Sequence, residues 1–167
     1  MSDKKKLVAN ARRVKMLLFD VDGVMTDGGI YYSVEGVEFK RFNAQDGYGI
    51  ARARECGLKV GIISGRKSPL VERRAKELNV EELFEGADDK IEAMREIQRR
   101  NGLNDQEFAF MADDLFDIPL LRVVGLSAAP RNARPEVKRV VDLVTKADGG
   151  NGAVRELIDF VLKHRSE

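Results

Sequence analysis

Short apolar runs recur along this chain with longer helical patterns between them. Residues 14–19, 59–63, 108–111 and 125–128 read as strands, and 82–84 and 143–144 as weaker ones. Between them, residues 48–56, 69–78, 90–100, 118–124, 135–140 and 153–163 carry helical spacing. Ser68 before Pro69 offers a hydroxyl cap and a proline in the first turn, and Gly57 and Gly125 mark helix ends. Such alternation dictates an α/β fold: a doubly wound, Rossmann-like parallel sheet with helices on both faces. Ligands of such sheets bind off the carboxyl ends of the strands. Asp20, Ser64 and Asp113 each follow a predicted strand closely, so topology alone gathers them at one end.

One segment breaks the alternation. Residues 29–32 and 37–43 read as strands joined by Ser33-Val34-Glu35-Gly36, a hairpin inserted over about residues 28–43. A lone hairpin is marginal in water. Tyr31, Tyr32, Val34, Val37, Phe39 and Phe42 give it more apolar surface than it can bury itself. It must pack on its own domain or on other subunits, and the size of the patch favours the second.

The strand at 14–19 ends in Asp20-Val21-Asp22-Gly23. Two carboxylates this close at a buried strand end repel unless a cation joins them. A hard ion with oxygen ligands, such as Mg²⁺, answers that need. Gly23 permits the sharp turn that follows. Further along come Ser64-Gly65-Arg66, then Lys90 at a helix start, then Asp113-Asp114-Leu115-Phe116-Asp117. Singly, each has an ordinary reading as a turn, a solvated lysine or a helix start. As an ordered set they suit phosphoryl transfer. One carboxylate can be the nucleophile and a second the proton donor. A hydroxyl and an ammonium can hold the transferring oxygens, and a further carboxylate can complete a metal shell.

Composition excludes other classes. The 167 residues fit one domain, and 43% hydrophobic content is that of a globular protein. The formal charge of +1 gives no field for nucleic acid, and Lys4-Lys5-Lys6 and Lys163-His164-Arg165 read as solvated ends. The single cysteine, Cys56, permits no intrachain disulfide or cysteine metal cluster and reads as a small buried hydrophobe. With no secretory or membrane-spanning run, a cytoplasmic protein without membrane partners is expected.

The ordered motifs resemble those of the haloacid dehalogenase superfamily of phosphatases: Phe19-Asp20-Val21-Asp22-Gly23-Val24-Met25-Thr26, Ser64, Lys90, and Asp113 to Asp117. The resemblance implies Asp20 as nucleophile, Asp22 as general acid/base, and Ser64 and Lys90 at the phosphate. It implies Mg²⁺ on the Asp20 carboxylate, the Asp22 carbonyl and Asp113, with Asp114 and Asp117 auxiliary. No large cap domain is present in the sequence; the hairpin stands in its place. Thr26-Asp27-Gly28, Tyr31-Tyr32, Phe42-Asn43, Asp46-Gly47-Tyr48-Gly49-Ile50 and the Gly149 to Glu156 segment narrow the likeness to the 3-deoxy-D-manno-octulosonate 8-phosphate phosphatase family.

That family's pattern implies a sugar-acid phosphate substrate from lipopolysaccharide synthesis and a homotetramer whose hairpins form a central barrel. Thr26, Gly65, Arg66 and Arg74 fall at its substrate positions. Arg66 stands where relatives acting on nine-carbon sialic-type phosphates carry glutamate, and suits the carboxylate of an octulosonate. Three positions depart from the pattern: Ala112 for glycine, Asn151 for arginine, and a short tail after Phe160. Rival readings are a nine-carbon 9-phosphate substrate, an inactive oligomerisation module, and a receiver-like domain. A receiver would carry its acceptor aspartate mid-chain.

Overall fold

The computed structural model describes residues 3–165. Six parallel strands form the sheet: β1 (Met16–Phe19), β4 (Lys59–Ser64), β5 (Glu82–Glu85), β6 (Phe108–Met111), β7 (Leu126–Ala129) and β8 (Leu143–Val144). A separate antiparallel hairpin holds β2 (Tyr31–Tyr32) and β3 (Glu38–Phe39). The helices are α1 (Asp3–Arg13), α2 (Ala44–Glu55), α3 (Pro69–Glu77), α4 (Lys90–Asn101), α5 (Ile118–Leu121), α6 (Pro135–Lys138) and α7 (Ala153–Arg165).

The sheet order is β5-β4-β1-β6-β7-β8. Chain order therefore reverses direction between β1 and β6, where the connecting segments part and leave a crevice at the carboxyl ends. Phe19 pairs in register with Ile62 of β4 and Met111 of β6, so Asp20, Ser64 and Asp113 emerge at one edge. This order also rules out the receiver-like alternative, whose doubly wound sheet runs 2-1-3-4-5.

Two-residue periodicity splits the core. Leu17 and Phe19 join side chains of α1, α2, α3 and α7, whereas Met16 and Leu18 join those of α4, α5 and α6. Phe108 and Phe110 of β6 face the second layer; Ala109 and Met111 face the first. All these residues are fully buried, and each large one is worth about 1.5–3 kcal/mol. Burial on both faces fixes the strand ends that carry the acidic residues.

Several expectations need correction. The Lys4 to Lys6 run is exposed as expected, but it belongs to a helix: it opens α1, which packs Ala11 into the core and lies against α7. Helix α2 begins earlier than expected, where Asn43 accepts the N–H groups of Gln45 and Asp46. Helices α5 and α6 are single turns, shorter than their patterns suggested. Cys56 is exposed, because it caps α2 where Gly57, at φ +78°, turns the chain away. Ser68 occupies the start of α3 but makes no cap; its hydroxyl donates to Glu38 at 3.3 Å.

The hairpin forms with Tyr31 opposite Phe39 and Tyr32 opposite Glu38. Ile30, Tyr31, Tyr32, Val34, Val37 and Phe39 are all exposed. It stands over the crevice and does not hydrogen-bond to the main sheet.

Candidate active site

The crevice is a cavity of about 300 Å³ lined by Asp20, Asp22, Gly28, Ser64, Gly65, Arg66, Lys90, Asp113, Asp114, Phe116 and Asp117. Asp20 directly follows β1; its N–H bonds to the Met111 carbonyl, carrying the sheet pattern one residue further. Its Oδ1 accepts the Val21 N–H at 2.7 Å and lies 3.0 Å from Lys90 Nζ, which orients the carboxylate. The loop 21–25 then closes with Gly23 at φ +83°. A Cβ on Gly23 would collide with the Asp113 carboxylate, so glycine serves both the turn and the close approach.

Lys90 sits in the first turn of α4, capped by Asp89. A helix N-terminus disfavours a cation and burial disfavours it further. Lys90 is nevertheless 5% exposed, held by Asp20 and by Asp117 at 2.7 Å. That placement has no use in packing and is explained by the anions. Ser64 ends β4, nearly sealed from solvent, with its Oγ accepting the Arg66 N–H.

Carboxylate oxygens of Asp20, Asp113 and Asp117 lie within 4.8 Å of one another. Burial, then the neighbouring Asp20 and Asp114 charges, pushes Asp113 up to about 7. Burial and Asp20 push Asp117 up to about 7 as well, against the pull of Lys90. Lys90 alone does not neutralise this cluster. An oxygen-only donor set with excess negative charge fits a hard divalent cation.

Asp117 thus joins the group more intimately than an auxiliary would, while Asp114 is exposed and caps the turn at Leu115. The Asp22 carboxylate turns away, toward Lys40 at 2.5 Å, and could serve a cation only through its main-chain carbonyl.

Two substrate-position residues lie elsewhere. Thr26 is buried; its hydroxyl donates to the Val21 carbonyl and accepts the Gly23 and Gly28 N–H groups, bracing the loop. Arg74 does not line the cavity: it pairs with Glu77 and lies over the Phe42 ring. Gly65 and Arg66 do line it. Asn151 accepts from Arg41 of the hairpin at 2.9 Å and makes no approach to the cavity.

The Gly149–Gly150 turn packs directly on the Asp20 loop, and Asn132 bridges Gly149 N–H and the Gly23 carbonyl. The residues that sequence reading missed are Glu38, Lys40 and Phe116. For Glu38 and Lys40 a signal existed: they flank Phe39, so alternation sends both charges to the face opposite the aromatic ring.

Comparison with known proteins agrees with this geometry. Residues 80–157 match the model of the haloacid dehalogenase-like hydrolase family. The chain is 40% identical over 156 residues to 3-deoxy-D-manno-octulosonate 8-phosphate phosphatase KdsC of Escherichia coli (strain K12), covering 93% of this chain and 83% of that one. The crystal structure of the Yersinia pestis 3-deoxy-D-manno-octulosonate 8-phosphate phosphatase superposes with a TM-score of 0.95 at 38% identity, covering 96% of this chain and 87% of that one. The Moraxella catarrhalis enzyme, solved with magnesium ion, phosphate ion and KDO, gives 0.94 at 36% identity, with 97% and 93% covered. At 40% identity over nearly the whole chain and with so close a superposition, this chain belongs to the haloacid dehalogenase-like hydrolases, in the family of the 3-deoxy-D-manno-octulosonate 8-phosphate phosphatases.

Proposed function

We propose that this chain is a Mg²⁺-dependent phosphatase that hydrolyses 3-deoxy-D-manno-octulosonate 8-phosphate to the sugar acid and phosphate, in lipopolysaccharide synthesis. The observation that carries the reading is the oriented Asp20 carboxylate, held by Val21 N–H and Lys90 beside Asp113 and Asp117. With Oδ1 so held, the second oxygen is the one to attack phosphorus. The bond from phosphorus to the sugar oxygen breaks, and its electron pair stays on that oxygen, which takes a proton from Asp22. An aspartyl phosphate on Asp20 remains. Water then attacks phosphorus as Asp22 accepts its proton, freeing phosphate and restoring Asp20.

Ser64 and Lys90 supply a hydroxyl and an ammonium to the equatorial oxygens, where charge spreads. Asp20, Asp113 and the Asp22 carbonyl would hold Mg²⁺, with Asp117 close by and Asp114 at the rim. Bound there, the ion offsets repulsion between phosphate and the carboxylates and fixes the line of attack.

Arg66, lining the cavity with 42% of its side chain exposed, is the residue in reach of a sugar carboxylate. The exposed hairpin supports a homotetramer in which hairpins of several copies close a barrel and roof the sites. No helix among the described residues is long and apolar enough to cross a membrane, and we read the site of action as the cytoplasm.

Assays with Mg²⁺ on a panel of sugar-acid phosphates test the substrate. Octulosonate 8-phosphate should exceed nine-carbon 9-phosphates in kcat/KM by about 10-fold or more. The reverse preference would reassign the substrate, and no turnover of either would sink the reading.

A further inference from the structure

Lys40 lies one residue past β3, outside the ordered motifs, and no step above uses it. Its side chain is only 2% exposed, although a lysine is almost never fully buried unless paired. Nζ lies 2.5 Å from Asp22 Oδ1 and 3.7 Å from Glu38 Oε1. The other Asp22 oxygen lies 3.7 Å from Arg66, whose guanidinium also donates to Glu38 at 3.2 Å. Ser68 spends its hydroxyl on the second Glu38 oxygen instead of capping its helix. The hairpin and the β4–α3 loop are thereby tied to each other, and both are tied to Asp22.

We propose that Lys40 is a positioning residue for Asp22, through which the hairpin aims the acid–base carboxylate and balances the charge it gains. The proposal rests on the reading of Asp22 as the proton donor. An unrestrained aspartate swings about its side-chain torsions, whereas proton transfer demands placement to within fractions of an ångström. Contacts to both oxygens remove that freedom.

The charge argument runs the same way. When the Asp22 proton moves to the sugar oxygen, Asp22 is left as a carboxylate. An ammonium already 2.5 Å away meets that charge without rearrangement. The two-residue period explains why a hairpin supplies it: Phe39 faces outward while Glu38 and Lys40 face Asp22 and Arg66 at the cavity edge. One strand presents an apolar surface to its surroundings and a charged one to the chemistry.

Leaving-group dependence separates this role from a structural one. An alkyl oxygen, as in octulosonate 8-phosphate, needs its proton; p-nitrophenolate leaves almost without one. With Mg²⁺ present, the full-length Lys40→Met variant should lose about 30-fold or more in kcat on the sugar phosphate, within the range of acid–base catalysis. On p-nitrophenyl phosphate it should lose less than about 3-fold, with oligomer size unchanged by light scattering. Equal losses on both substrates, or no loss on either, would overturn the proposal.

Should K40M fail to fold, K40Q keeps a donor for Asp22 without the charge and must show the same selectivity. Asp22→Asn is the control for the underlying reading. If D22N discriminates between the substrates and the Lys40 variants do not, the Lys40 proposal fails alone. If D22N itself shows no discrimination, Asp22 is not the proton donor. A K40M/D22N double variant should be no worse than D22N, because the lysine acts through the carboxylate.

Discussion

Asp20, Lys90 and Asp117 find their partners within one chain, at the ends of strands buried on both faces. Tyr31, Tyr32, Val34 and Phe39 of the hairpin meet water on a two-stranded segment with no core of its own. The acidic site is thus assembled by folding of a single chain, whereas the outer face of the hairpin stays exposed in a single chain and would be covered only in the homotetramer proposed above. The inner face belongs to the first regime: Lys40 and Glu38 are paired with Asp22, Arg66 and Ser68. If the proposed assembly holds, chemistry and assembly meet in one element, and changes at the two regions should fail in different ways.

The largest effect should come from the site. Lys90→Met removes the cation that, among the described residues, bridges Asp20 and Asp117. Its kcat should fall by about 10³ or more on every phosphate ester, with assembly unchanged. Loss of the oligomer in this variant would erase the separation between the regions.

Next comes the hairpin. Replacing Tyr31 and Phe39 together with serine should yield smaller species by light scattering. Turnover of the sugar phosphate should fall about 10-fold, and hydrolysis of p-nitrophenyl phosphate, which needs no enclosing surface, should fall less. A fully active monomer at micromolar concentration would contradict the role given to the exposed face.

The smallest effect concerns pH and metal. Asp113 and Asp117 are pushed up to about 7 from the usual carboxylate range by burial and then by the neighbouring Asp20 charge, with Asp114 adding to the effect on Asp113. The folded chain holds these protons more tightly than the unfolded one. Their contribution to stability is therefore full below about pH 4 and lost as pH rises through about 7. Without metal, the melting temperature should fall across that window; Mg²⁺ should raise it more at about pH 8 than at about pH 5. An equal rise at both would place the cation elsewhere.

Legibility in the sequence followed the same divide. The strand ends were readable because apolar runs flanked by Asp-X-Asp, Ser-Gly and Asp-Asp leave few alternatives. The hairpin turn at Ser33 to Gly36 was readable for similar reasons, with Gly36 at φ +82°. Helix α1 was missed because Lys4 to Lys6 mask a face built on Leu7 and Ala11. Cys56 was misplaced because residue type does not reveal which way a helix cap turns. Thr26 and Arg74 were assigned by position in a pattern, yet their hydrogen bonds and ion pairs stay within the fold. Lys40 belongs to none of the motifs; alternation around Phe39 gives the face it takes, but its partner Asp22 is brought to it only when the hairpin folds over the Asp20 loop.

The central claim is a covalent phosphate on Asp20, and rapid acid quenching tests it most directly. Enzyme mixed with Mg²⁺ and phosphate-labelled substrate should carry protein-bound label within one turnover. The label should be released by hydroxylamine, map to Asp20, and be absent from Asp20→Asn, whose turnover should fall by about 10³ or more. Near-normal turnover in Asp20→Asn, or label on another residue, would contradict the account.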